Sequence, residues 1–227
     1  MTTTINLPPA APVRYRTAAE WLHELGDVPL ERILFTPWPG TATEADLLRK
    51  VEVEKHLCEL INGTLVEKPV GLYESQLAAV LIQLMLNFIR PRRLGAVSGE
   101  AGPLRLGAGS VRLPNVAFIS RDRFRGKLPL EPIPSIAPDL AIEVLSESNT
   151  RKEIQTKISE YFGSGTRLVW IIDPKTRSAV VHTSANESRP IPPDGTLDGA
   201  EVLPGFQVPL GELFRAVDET LEDLGLK

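Results

Sequence analysis

The stretch DLAIEVLS, residues 139–146, decides the fold class. It is an almost unbroken apolar run interrupted by Glu143, and a strand apolar at consecutive positions is one covered on both faces, as at the centre of an α/β sheet. RLVWIID, residues 167–173, repeats the pattern. Between the two lies a helix: Thr150 and Glu153 have capping-box spacing, Ile154, Ile158, Tyr161 and Phe162 form an inward stripe, and Gly163 and Gly165 close it. Upstream, the apolar positions from Leu72 to Ile89 cover most of a helix surface, which predicts a helix buried on more than one side and ended by Pro91. Residues 96–106 and 111–119 read as two strands joined by the turn GAGS. The middle of the chain is therefore helix, strand, strand, strand, helix, strand.

The flanks are simpler. Residues 1–13 are polar and rich in Pro, the pattern of a flexible arm, and residues 14–227 read as a single domain. Thr17 to Leu25 has helical spacing, and the segment that follows mixes turns with a second short helical patch, a covering layer. In CELINGTLVEK, residues 58–68, two β-prone arms flank Asn62-Gly63, the dipeptide of a type I′ hairpin. After a Pro-rich loop at 128–138 and the strands above, Asp173-Pro174 turns the chain into RSAVVHT. The tail predicts one short strand near Glu201 to Leu203 and a final amphipathic helix from Gly211 to Leu224.

Composition excludes several classes of function. The longest apolar runs, such as Leu77 to Ile82, are too short to span a bilayer, and no signal peptide is evident, so a soluble cytoplasmic protein is expected. A single cysteine, Cys58, rules out an internal disulfide and reads as a small core residue. His23, His56 and His182 lack metal-ligand spacing, and neither a glycine-rich phosphate loop nor a GxSxG elbow occurs. The net charge of −4 does not advertise a nucleic-acid binder, yet two local basic clusters stand out: Arg90, Arg92 and Arg93, and Arg121, Arg123, Arg125 and Lys127.

Three residues carry candidate chemistry. Glu143 lies within an oily strand, where an unpaired carboxylate costs several kcal/mol unless a cation or donor set compensates; it either ligates a metal or reaches solvent or an Arg. At about 100° per residue, Lys157 falls on the border of the following helix's apolar stripe, so its ammonium can turn toward the strand end or snorkel to water. Asn115, at the start of VAFIS, offers a neutral oxygen beside Glu143 where Mg²⁺ would favour a second carboxylate, or it bonds its own backbone. Glu59, Glu67, Glu74 and Glu100 lie near element ends and read as structural or solvated, with Glu100 able to approach from a neighbouring strand.

The order LCELINGTLVEK, RLPNVAFIS, APDLAIEVLSESNT and KISEYFGSGTRLVWIIDP resembles the Uma family of restriction endonucleases, in the PD-(D/E)XK nuclease superfamily, over roughly residues 17–215. The resemblance implies an α/β fold: a restriction-endonuclease-like αβββαβ core with a mixed central sheet flanked by helices, here with an N-terminal helix and hairpin extension. It places Asn115 where a metal-binding Asp would stand, matches Glu143 to the second acid, and matches Lys157 to a lysine displaced onto the helix, with Leu145 at the strand position where many of the wider superfamily keep it. The implied function is a metal-dependent DNA endonuclease that binds Mg²⁺ or Mn²⁺ weakly and cleaves slowly or not at all because of Asn115. Such nucleases often pair, so a homodimer is expected. The competing readings are a non-catalytic nucleic-acid-binding protein on a nuclease fold and a protein-interaction scaffold.

Overall fold

A computed structural model of the chain describes residues 15–69, 71–223 and 225, so the arm expected at 1–13 lies outside the described residues. In chain order the elements are α1 (Ala18–Glu24), β1 (Ile33–Leu34), α2 (Glu44–Leu48), β2 (Cys58–Ile61), β3 (Thr64–Glu67), α3 (Leu72–Arg92), β4 (Gly95–Gly99), β5 (Leu104–Gly107), β6 (Ser110–Arg112), β7 (Val116–Ser120), β8 (Leu140–Val144), α4 (Arg151–Ser164), β9 (Leu168–Asp173), β10 (Ser178–His182), β11 (Ser188–Ile191), β12 (Thr196–Asp198), β13 (Gln207–Pro209) and α5 (Leu210–Asp223).

Strand alternation builds the layers. In the six-stranded sheet, ordered β11-β10-β9-β8-β7-β4, β8 sits between β9, to which it is parallel, and β7, to which it is antiparallel. Val116, Phe118, Leu140, Ile142, Leu168 and Trp170 point to one face and pack with Leu77, Leu81, Met85 and Ile89 of α3 and Leu213, Phe214 and Val217 of α5. Ala117, Ile119, Ala141, Val169 and Ile171 point to the other face, under Ile158 and Tyr161 of α4. With α3, β4, β7, β8, α4 and β9 taken in order, the αβββαβ core and mixed sheet expected from the sequence are present. Between β4 and β7 the chain detours through β5 and β6, which join β1, β2 and β3 in a second sheet ordered β1-β3-β2-β6-β5. Leu113-Pro114-Asn115 is therefore the crossing from one sheet to the other.

Local chemistry explains the junctions. Asn62 and Gly63, at φ 47° and 75°, form the turn between β2 and β3, the conformation the Asn-Gly pair tolerates. Burial of Cys58 in the core of the second sheet pushes its thiol up to about 12. Thr17 caps α1 as its spacing implies. At the start of α4 the Thr150 hydroxyl accepts from the Glu153 N–H at 2.9 Å and also donates to the Gly26 carbonyl, pinning the N-terminal segment to the core. Thr150→Ala is expected to lower unfolding free energy by about 1–2 kcal/mol, with Thr150→Ser nearly neutral, in urea denaturation.

Four details depart from the sequence reading. Helix α3 runs through Pro91 to Arg92, because a proline in the last turn forfeits little hydrogen bonding, and Arg93 at φ 54° ends it. Its fully buried residues form one stripe, and Leu84 is exposed, so it is not buried on several sides. Although Leu72–Arg92 is long and apolar enough by composition to cross a membrane, its stripe packs on the sheet. Residues 96–106 and 111–119 each divide between the two sheets, and residues 201–203 are turn, the strands lying instead at Thr196–Asp198 and Gln207–Pro209, with Ala200 and Gly205 at positive φ between them.

Candidate active site

Glu143 shares the α4 face of the sheet with Ala141, because residues two apart in a strand point the same way. Val116 pairs with Ile142 and Ala117 with Ala141, so the same register sets Asn115 opposite Glu143. Each end of the Asn115 amide makes one hydrogen bond. Its Oδ1 accepts from the Val144 N–H at 3.1 Å, and its Nδ2 donates toward Glu100 at 3.4 Å. Asn115 therefore bonds the backbone of the neighbouring strand and not its own, and ties down the end of β8.

Above this pair, α4 supplies Lys157 and, one turn on, Tyr161. The Lys157 ammonium lies 3.4 and 3.5 Å from the two Glu143 oxygens and 3.0 Å from Glu59, and the Tyr161 hydroxyl donates to Glu143 at 2.6 Å. Lys157 is not a border residue, as the wheel suggested, but lies in the centre of the buried face of α4, 2% exposed. Burial alone would lower its pKa; Glu143, Glu59 and Glu153 more than offset this and hold it raised, hence protonated at neutral pH. Burial, then the charges of Glu143 and Glu59, keep the Tyr161 phenol neutral, its pKa raised well above the ordinary value.

The second sheet completes the cluster with groups that sequence reasoning treated as structural or passed over. Glu59 of β2 bonds Arg112 of β6 at 2.9 Å and the Leu113 N–H at 3.1 Å, and Arg112 also grips Glu160 of α4 at 2.6 and 3.0 Å. Burial would raise Glu59; Lys157, Arg112, Lys68 and the Leu113 N–H together drive it well below the usual carboxylate range. Lys68, just past β3, is 4% exposed and donates to the Leu113 carbonyl. The available signal was charge inside otherwise apolar strands: Glu59 beside Leu60 and Ile61, and Arg112 beside Val111 and Leu113, each demanding an opposite partner. Glu67 and Glu74 are not among these contacts.

This arrangement can hold an ammonium protonated and immobile against two carboxylates, a fixed positive charge in a low-dielectric setting. It does not fit the divalent ion implied by the resemblance. Both Glu143 oxygens face the Lys157 ammonium, and Tyr161 donates to one of them; the Asn115 carbonyl oxygen is taken by a backbone N–H. Among the described residues no group of three or more His, Cys, Asp or Glu side chains is placed to hold a metal. Mg²⁺ needs several hard oxygens that are free to ligate it.

Comparison with known proteins gives a family and a fold. A family model, Uma2, described as "Putative restriction endonuclease", matches residues 45–211. A crystal structure of a "putative nuclease belonging to DUF820" from Anabaena variabilis ATCC 29413 superposes with a TM-score of 0.63 at 21% identity, covering 70% of this chain and 90% of that one, and shows the same fold. No curated protein matches the chain.

Proposed function

The chain belongs to the Uma2 family, and on that premise we propose that it is a DNA-directed nuclease whose cleavage centre, formed by Glu143, Lys157 and Asn115, is attenuated. What supports this is the register of β7 against β8: carried one residue beyond its last pair, Val116 with Ile142, it brings Asn115, a neutral amide, level with Glu143, where the family resemblance calls for an acid. Phosphodiester hydrolysis builds negative charge on the phosphoryl oxygens, and an ammonium fixed beside them stabilises that charge. Lys157 is suited to this part: Glu143 and Glu59 keep it protonated, and Tyr161 holds Glu143 in place. Because the donors do not fit a divalent ion as they stand, no step is assigned to one. Family membership nonetheless makes Mg²⁺ and Mn²⁺ the ions to assay, and replacing an acid by an amide weakens the site's attraction for either.

Access supports the same reading. Glu59, Asn115, Glu143 and Lys157 are all at most 4% exposed, and Glu100 and Glu160 at the rim are partly open. A scissile phosphate would have to displace part of this cover. The test is supercoiled plasmid DNA with Mg²⁺ or Mn²⁺: nicking by the protein as written is expected to be slow or absent, and Asn115→Asp to be faster by at least about tenfold, a gain that Glu143→Ala then removes. Equal rates for the first two proteins would show that the amide does not attenuate, and nicking that survives Glu143→Ala would remove the site assignment.

One observation favours a second reading, DNA binding without cleavage. Gly95 pairs with Ser120, and the Arg121 N–H donates to the Leu94 carbonyl at 2.8 Å, so the end of α3 and the segment after β7 meet at one end of the sheet. Exposed Arg90, Arg92 and Arg93 are thereby joined with exposed Arg121, Arg125 and Lys127, the length of β7 away from Asn115, about 15–20 Å. Salt-sensitive DNA binding that survives Glu143→Ala but is lost in Arg90→Glu with Arg121→Glu would support this reading.

A further inference from the structure

Lys68 is the buried cation that the cleavage centre leaves unexplained. It continues the ladder past β3, its N–H bonding the Leu57 carbonyl at 2.9 Å, and its side chain runs inward until the ammonium meets the carbonyl of Leu113. The N–H of that same residue is held by Glu59, so the peptide two positions before Asn115 is clamped from both sides. Among the described residues, no carboxylate lies within ion-pair distance of the Lys68 ammonium. It sits in the field of Glu143 first and then of Glu59 and Glu100, with Lys157 repelling it. Burying an ammonium on a neutral acceptor is expensive, and a methionine would fill the same space at lower cost. A purely structural role does not account for the charge.

Counting fully buried charges gives the consequence. Arg112 is matched by Glu160, at 2.6 and 3.0 Å, and Arg32 by Glu153, at 2.9 and 2.7 Å; that leaves two carboxylates, Glu59 and Glu143, facing two ammoniums, Lys68 and Lys157. An incoming divalent ion therefore meets two carboxylates whose charge is already balanced, and restoring an acid at residue 115 leaves only one net negative charge to attract it. We infer that Lys68 is a built-in counter-cation: buried on the Leu113 carbonyl, it adds its charge to that of Lys157, so that the two ammoniums offset Glu59 and Glu143 and keep a divalent ion out of the site. This inference rests on the reading of Glu143 and Asn115 as the family's cleavage centre. It adds that the amide is only half of the attenuation, the other half being a lysine on the neighbouring hairpin.

The test is Mn²⁺ binding followed by electron paramagnetic resonance of the free ion, with no DNA and no turnover. Four full-length proteins are compared: the chain as written, Asn115→Asp, and Asn115→Asp combined with either Lys68→Gln or Lys68→Met. Gln keeps a donor for the Leu113 carbonyl and removes only the charge, so it remains informative if Met disturbs the fold, which circular dichroism melting reports. The chain as written should leave Mn²⁺ free, Asn115→Asp should bind weakly, and both double variants should bind at least about tenfold more tightly than Asn115→Asp. Asn115→Asp with Lys68→Arg, which keeps the charge, should stay as weak as Asn115→Asp alone.

Equal affinity with and without the Lys68 charge would overturn the inference and leave the Asn115 reading intact. Failure of every variant to bind would overturn it as well, because removing the charge would then open nothing. Tight binding by the chain as written would overturn the inference and the attenuated site together. Mn²⁺ binding by the double variants with no cleavage of DNA by any of them would support the role of Lys68 and count against the nuclease reading.

Discussion

Lys157→Ala is expected to destabilise the protein by about 3–5 kcal/mol, because deleting one partner of a buried ion pair leaves the others charged and dry. Here two carboxylates lose their nearest ammonium: Glu59 at 3.0 Å and Glu143 at 3.4 Å, each no more than 4% exposed, so solvent screens almost nothing. For a chain of this size that corresponds to a fall in Tm of roughly 6–20 °C. The joint replacement Glu143→Leu with Lys157→Met should recover part of the loss, since it removes both charges and keeps the volume, while Glu59 retains Arg112 and the Leu113 N–H. Urea denaturation of the three proteins reads the comparison. A loss below about 1 kcal/mol for Lys157→Ala would mean that the cluster is far wetter than its geometry, with the energetics of a surface pair.

The same residues mark what could and could not be read in the sequence. The central strands were legible because Leu140–Val144 and Leu168–Asp173 are apolar on both faces, and the hairpin because Asn62-Gly63 admits few other conformations. Glu143 drew notice as one charge in an oily run. Asn115 was legible as a strand-start residue, one position before the first β7–β8 pair. Lys157 reads as a border residue when the wheel is drawn through Ile154 and Phe162, whereas the fully buried face carries Glu153, Lys157, Ile158 and Tyr161 and puts it near the centre. An apolar stripe cannot reveal a helix face that is buried by pairing charges.

Glu59, Lys68 and Arg112 were harder for a related reason: their partners lie across a sheet-to-sheet crossing that no local pattern encodes. β5 and β6 leave the main sheet between β4 and β7, so residues 96–106 and 111–119 looked like two strands when each contributes to both sheets. The crossing at Leu113-Pro114-Asn115 then brings β2 of the hairpin against α4. That contact is a tertiary event. Its one trace in the sequence is the matched set of charges inside apolar strands.

Acid is expected to unfold this protein earlier than a core of its size would suggest. Burial would raise the Glu59 carboxyl, but Lys157, Arg112, Lys68 and the Leu113 N–H lower it far below its ordinary 4.5; burial would likewise raise Glu153, but its hydrogen bond to Arg32, the charges of Lys157 and Arg32, and Asn149 lower it. A carboxylate whose folded pKa lies below its unfolded one adds stability that is complete above the unfolded value and is lost as pH falls toward the folded one. The loss should therefore begin below about pH 4.5, where the unfolded chain takes up these protons and the folded chain resists them. Glu153→Gln removes one of these depressed groups, so its stability should fall less between pH 6 and pH 3 than that of the parent, while being lower at neutral pH because Arg32 loses its charged, two-oxygen partner and keeps the carbonyls of Glu67 and Ser148. Urea denaturation repeated across that range measures both slopes. Parallel curves for the two proteins would show that Glu153 titrates alike folded and unfolded, and would remove the Arg32 pair from the account of what holds the hairpin extension to α4.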